Sequence, residues 1–243
     1  MDRKRTAVLS ASTLVGDTIV NQEGADLGDL EELMIDLTSG RIAYAVLSFG
    51  GFLGLGEKLL AIPWDAMAVD QEEKRLILDV DEEMLEEAPG FDKDNWPATP
   101  DRDYVRQVYD HYGYEPYWRL GEERATENQL SLVLSTSTLT GDKVVNLEEE
   151  DLGELEALMI DLESGHIAYG VLSFGGLLGV GDKVFAIPWE AIIVDEAQER
   201  LILDIDEETL EHAPGFDKDD WPGTADRDYV GDVYDYYGYD RYW

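Results

Sequence analysis

Three histidines are the first place to look for chemistry, because imidazole titrates near neutral pH and is the commonest side-chain ligand for transition metals. They are His111, His166 and His212. The chain carries two copies of one sequence at a constant offset of 125 residues, so that Gly141 matches Gly16 and Trp243 matches Trp118. At the corresponding positions the other copy has Tyr236, Arg41 and Glu87. A reaction or metal site built on any of the three would exist in one copy only, and none has a second histidine nearby in sequence. All three are expected to be exposed surface residues.

Carboxylates are too numerous to single out an acid–base pair. Asp92 and Asp94, with Asp217, Asp219 and Asp220, faintly suggest a calcium loop. The EF-hand pattern requires further oxygen ligands, a mid-loop glycine and a glutamate at the twelfth position, and Pro and Trp interrupt it here. Two readings stand: weak divalent-ion binding by the acidic surface, or a solvated polar turn. The loop GGFLGLGEK, with Gly50, Gly51, Gly54 and Gly56, could cradle a phosphate. It lacks the GK-[ST] ending and runs into a strand rather than a helix, which favours a hairpin connection needing positive φ. Its apolar tip, Phe52, Leu53 and Leu55, with Leu177, Leu178 and Val180 in the second copy, is either a docking patch for a protein partner or a lid over the barrel's own mouth. With no cysteine in the chain, disulfides, thiolate zinc sites and cysteine nucleophiles are excluded. No catalytic residue, metal site or cofactor is indicated, and the chain is not expected to be an enzyme.

The elements that would position such residues come from the repeat. The copies run over residues 6–118 and 131–243 with roughly two-thirds identity and no gap, joined by a polar linker at 119–130. Twelve linker residues reach at most about 40 Å, so the copies are expected side by side as an intramolecular pseudo-dimer, with a higher homo-oligomer also open. Within a copy, TIVN, LEELMIDL, IAYAVLSF, KLLAIP and RLILDV read as short strands broken by glycine turns. Short strands this closely spaced over about 80 residues suggest a small antiparallel barrel, whose closure would remove aggregation-prone edges. DEEMLEEAPG reads as a short helix capped by Asp81 and stopped by Pro89. DRDYVRQVYDHYG places Tyr104, Val105, Val108, Tyr109 and Tyr112 on one helical stripe, ended by Gly113.

The string LGDLEELMIDLTSGRIAYAVLSFGGFLGLGEKLLAIPW resembles the PRC-barrel family, named for the cytoplasmic domain of the photosynthetic reaction centre H subunit. The C-terminal domain of the ribosome maturation factor shares that fold. APGFDKDNWP and the closing Tyr-Trp resemble a bacterial and archaeal branch of stand-alone members. The resemblance implies a mainly β fold of two tandem barrels and protein-docking or assembly roles, with no shared catalytic residues to carry over. Neither the transmembrane helix of the reaction-centre subunit nor the N-terminal domain of the ribosome factor is expected here, so neither specific role carries over.

Acidic residues number 55 against 18 basic ones, for a net charge of −37. Such a surface repels itself at low salt, and molar salt screens most of that repulsion. The charge therefore points to a salt-rich cytoplasm and away from nucleic-acid partners, whose binding depends on basic groups displacing counterions. No apolar run is long enough to span a membrane. The leading functional expectation is an adaptor or scaffold. A small-ligand or cation-binding stress protein and a ribosome-associated or photosynthetic-complex assembly factor are the alternatives. Finally, 17 of the 25 aromatic residues lie in Phe91–Trp118 and Phe216–Trp243. Phe91, Trp96, Tyr109 and Trp118, with Phe216, Trp221, Tyr234 and Trp243, are expected to pack on barrel surfaces. Exposure to an outside partner is the rival reading, and each tail either folds back or crosses to the other copy.

Overall fold

The computed structural model describes residues 8–49, 58–91, 96, 102–119, 132–173, 183–205, 207–217 and 227–243. The chain forms two compact units: Thr13–Ser135, and Thr136–Trp243 joined by the segment that ends at Ser12. Both are mainly β.

In the first unit, β2 (Thr18–Asn21) turns into the long β3 (Asp26–Asp36), followed by β4 (Arg41–Phe49) and β5 (Lys58–Ile62). A 3₁₀ turn at Trp64–Ala66 leads to β6 (Met67–Asp70) and β7 (Arg75–Leu78). Helix α2 (Glu82–Glu87), the two-residue β8 (Gly90–Phe91), helix α3 (Arg102–Tyr112) and a 3₁₀ turn at Tyr117–Arg119 complete the repeat. Hydrogen bonding orders the strands β6-β7-β2-β3-β4-β5-β8. All pairs are antiparallel except β2 with β7, which is parallel. Among the described residues the expected closure into a barrel is not seen, and the sheet remains open. Its ends are short strands, and α3 packs against β5 beside one of them, so the edges are blunted without closure.

The burial pattern explains the layering. Ile42 to Leu47 are buried without interruption, the signature of a strand covered on both faces. In α3, Val105, Val108, Tyr109 and Tyr112 are buried at the spacing of one helical face. Each such side chain is worth roughly 1.5–3 kcal/mol of burial free energy. Gly113, at φ +74°, ends the helix, and the Tyr114 amide donates back to the Tyr109 carbonyl at 3.0 Å. Asp81 stands at the start of α2 as expected but makes no side-chain capping bond. Gly28 has φ +134°, and a Cβ there would lie 1.8 Å from the Ser48 carbonyl oxygen. No other residue fits where β3 shifts register against β2.

The second unit repeats this plan. Its strands are β10 (Lys143–Asn146), β11 (Asp151–Asp161), β12 (His166–Ser173), β13 (Lys183–Ile187), β14 (Ile192–Asp195), β15 (Arg200–Leu203) and β16 (Gly215–Asp217). Helices α5 (Glu207–Glu211) and α6 (Arg227–Tyr237) match α2 and α3.

One strand per unit comes from the wrong place in the sequence. β1 (Val8–Ser10) and helix α1 (Ala11–Leu14) lead into the first repeat, and β9 (Val133–Ser135) and helix α4 (Thr136–Leu139) lead into the second. β9 pairs antiparallel with β3 of the first repeat, Met34 facing Ser135, Ile35 facing Leu134 and Asp36 facing Val133. β1 pairs with β11 of the second repeat in the same register, Ser10 facing Met159, Leu9 facing Ile160 and Val8 facing Asp161. Val8 and Val133 are 2% and 4% exposed. Val8 sits in one apolar cluster with Ala157, Met159, Tyr169, Val233 and Tyr234. Each unit is thus completed by the first strand of the other repeat.

Candidate functional site: the junction of strand, turn and tail

The candidate docking loops, Phe52, Leu53, Leu55, Leu177, Leu178 and Val180, lie outside the described residues, as do Trp221, Asp92, Asp94, Asp219 and Asp220. Just beyond the first loop, Lys58 donates from Nζ to the carbonyl of Ala88 at 2.6 Å and to that of Glu86 at 3.3 Å. It satisfies the C-terminal end of α2, where a cation is electrostatically favoured.

The histidines are not uniformly surface residues. His212 is exposed, and its Nδ1 lies 2.8 Å from the Glu208 carbonyl. His111 is half-buried with Nε2 2.9 Å from the Met84 carbonyl. His166 corrects the expectation outright, being 5% exposed. Its Nδ1 lies 2.9 Å from the Ile167 carbonyl, and its ring stacks on Tyr242 with centroids 4.2 Å apart. The signal that was available is its place in β12, a strand apolar along its length. Among the described residues no group of three His, Asp or Glu side chains is arranged to hold a metal ion.

What the fold does bring together is a buried carboxylate, a tail tyrosine and the inserted strand. Asp36 closes β3 and is 1% exposed. Its Oδ1 accepts from the Thr38 and Ser39 amides at 2.9 and 3.3 Å, shaping the turn to β4. Its Oδ2 accepts from the Tyr117 hydroxyl at 2.6 Å. The next residue, Leu37, donates its amide to the Leu132 carbonyl at 3.0 Å, at the start of the β9 pairing. The second unit repeats the carboxylate and tyrosine arrangement. Asp161 is fully buried, accepts from the amides of Glu163 and Ser164 at 3.0 and 3.4 Å, and receives the Tyr242 hydroxyl at 2.9 Å. Burial, reinforced by the adjacent carboxylate, pushes the Tyr117 and Tyr242 phenols far above their ordinary range, so both stay protonated donors. Charge-assisted bonds of this kind are short and strong.

The closing tryptophans pack outside this latch. Arg102 lies 5.5 Å from the Trp118 ring centroid, and Arg227 the same distance from that of Trp243, a cation–π contact worth about 0.5–1 kcal/mol at an exposed site. Trp118 is half-buried, while Trp243 is 42% exposed. Tyr109 and Tyr234 have no exposed surface. Phe91, in β8, pairs with Leu59 of β5 and has its ring 5.1 Å from that of Trp96, and Phe216 pairs with Val184. The described tail residues fold back on their own repeat. What crosses is the upstream strand, which sequence reasoning missed because three residues, Val-Leu-Ser, carry no pairing signal.

The copies differ at one point beside the latch. In the second unit Glu190 accepts from Tyr234 at 2.7 Å, and its other carboxylate oxygen lies 3.9 Å from His166 Nε2. The first copy has Asp65 and Arg41 at these positions. Burial raises both carboxylates above the usual range, against the Tyr234 hydrogen bond at Glu190 and the Arg41 charge at Asp65.

A polar cleft of about 400 Å³ opens in the first unit between the β2–β3 turn and α2, lined by Asn21, Gln22, Glu23, Asp79, Val80, Asp81, Met84 and Tyr112.

No curated protein matches the chain. The model of the PRC-barrel domain matches twice, over residues 7–85 and 133–210. Both matches begin on the strand that completes the other unit, so the inserted strand is part of the domain as the family defines it. The two matches together cover most of the chain, and it belongs to the PRC-barrel domain family.

Proposed function

We propose that the chain is a non-catalytic adaptor or scaffold that offers the same binding surface twice and works in a salt-rich cytoplasm. PRC-barrel domains are generally interaction or assembly modules. The observation that carries the reading is the duplication of a self-latched unit within one chain, which makes binding to a repeated or symmetric protein partner bivalent. The buried polar groups support it, since Asp36, Asp161 and His166 are engaged in holding the fold. The apolar loop residues Phe52, Leu53 and Leu55, with Leu177, Leu178 and Val180, are the proposed contact points. The charge of −37 makes a basic protein face the best complement and nucleic acid a poor one.

The test is affinity capture in 2 M KCl with the full chain and with a variant carrying serine at Phe52, Leu53, Leu177 and Leu178. The expected result is a stoichiometric partner that the variant loses while its melting temperature is unchanged. Equal capture by both chains removes the loops from the reading. No partner beyond those held by an unrelated, equally acidic protein overturns the adaptor role.

The cleft beside Tyr112 favours a second reading, a site for a small organic cation, because three carboxylates line it together with an aromatic residue and a methionine. Calorimetric titration with spermidine tests it. Binding that persists in 2 M KCl supports a specific site, and binding that vanishes marks bulk attraction to the acidic surface.

A further inference from the structure

We infer that the edge of β11 beside Asp161 is an acceptor for the β1 strand of a second copy of this chain, so that the protein self-assembles by exchanging its first strand. This rests on the assembly reading above and names one partner for it.

Three observations carry it. First, the donor strands are interchangeable: Val8-Leu9-Ser10 and Val133-Leu134-Ser135 have the same sequence and engage matching edges in the same register. The acceptor edge therefore recognises the segment rather than its connectivity. Second, the acceptor is built independently of the strand that fills it. Asp161 is held by the turn amides of Glu163 and Ser164 and by Tyr242, all within Thr136–Trp243. Third, the donor contributes three residues and one well-buried anchor, Val8. A contact that small opens at far less cost than the unit as a whole.

Strand addition to a sheet edge draws affinity from main-chain hydrogen bonds and specificity from alternate side chains. Here the specificity lies in the valine pocket beside Tyr169 and Tyr234. Within one chain the tethered β1 competes at an effective concentration of roughly millimolar order. Exchange between chains is therefore a concentration-dependent event, favoured where a partner gathers many copies. Two chains that trade β1 reciprocally close into a twofold dimer, and chains that pass it onward form open runs.

The absence of cysteine in the natural chain makes the test clean. Ser10 faces Met159 directly. A full-length Ser10→Cys, Met159→Cys double variant is expected to form an intrachain disulfide when oxidised dilute. Two single variants, Ser10→Cys and Met159→Cys, carrying tags of different size, are mixed at about 1 mM, in the range where interchain exchange competes, then diluted and oxidised. The expected product is a disulfide-linked heterodimer, absent when Asp103→Cys replaces Ser10→Cys. A mixture that yields no heterodimer while the double variant crosslinks fully overturns the inference. Sedimentation of the wild-type chain across the same concentrations gives an independent reading. A slowly reverting dimer supports exchange, and a strict monomer throughout overturns it whatever the cysteines do. Loss of exchange with retained partner capture leaves the adaptor role standing, so the two proposals fail separately.

Discussion

The Tyr117 hydroxyl donates to Asp36 across 81 residues of chain, and Tyr242 repeats the bond to Asp161 across the same separation. This pair of bonds ties the last residues of each repeat to the turn between its two longest strands, beside the site where the inserted strand docks. The tail is thus part of the wall of the acceptor edge.

Removing one hydroxyl tests the latch. Tyr117→Phe and Tyr242→Phe each deprive a buried carboxylate of a donor, and hydrogen bonds to charged groups are worth about 1.5–3 kcal/mol. Each variant is expected to lose about that much stability in denaturant titrations. A loss below half a kcal/mol would show that solvent replaces the phenol and that the latch is incidental.

Deleting Asp217–Trp243 probes the tail as a whole. The segment supplies Val230, Val233 and Tyr234, all fully buried, from a helix that packs on β13. The truncated chain is expected to melt well below the full chain, and the point variant Tyr234→Ala should cost about 3–5 kcal/mol, as large-to-small core changes do. A truncated chain with an unchanged melting temperature would mean that the tail aromatics serve an outside partner instead.

Glu190 sets a pH dependence that belongs to the second unit. Burial raises its carboxyl above the ordinary 4.5, partly opposed by the Tyr234 hydrogen bond. Because the folded value lies above the unfolded one, the native state holds the proton more tightly. Stability therefore falls as pH rises from 4.5 through the folded value. A third of the side chain still reaches solvent, so the effect is small. Glu190→Gln keeps an acceptor for Tyr234 and removes the titration. Its melting temperature is expected to match or slightly exceed the wild type at pH 7, with a shallower slope above pH 4.5. A variant clearly less stable at pH 7 with the same slope would show that the charged form contributes to the fold.

The same linkage runs at alkaline pH for the phenols. Tyr104 and Tyr229 are pushed up to about 12 by burial. Stability from these groups is complete below pH 10 and is lost as pH climbs towards 12. Tyrosinate absorbance is expected to rise together with loss of the circular-dichroism signal. Ionisation of most phenols near pH 10 with the fold intact would contradict the buried arrangement.

Salt tests the charge argument. With 55 acidic and 18 basic residues, melting temperature is expected to rise markedly between about 0.1 and 2 M KCl, as the Debye length shrinks from about 10 Å to near 3 Å. A flat or falling series removes the salt adaptation from the proposed function.

Much of this protein was legible in residue order alone. The constant offset identifies two copies of one unit, the β-branched runs mark β2 to β5 and β7, and the stripe from Tyr104 to Tyr112 marks α3. These are local patterns, since strand and helix periodicities are written in neighbouring residues. The weaker β6 and the two-residue β8 escaped, because strands that short carry too few alternations to register.

Sequence by itself therefore determined the repeat, the family, the acidic surface and most of the elements. Tertiary structure alone decided three things. It left the sheet open among the described residues, with short strands at its ends. It buried His166 against Tyr242, a contact between residues far apart in the chain. It also sent Val8–Ser10 and Val133–Ser135 to opposite repeats, although their sequences are alike. Pairing of a strand depends on which edge the rest of the chain leaves unfilled, and no periodicity in three residues encodes that edge.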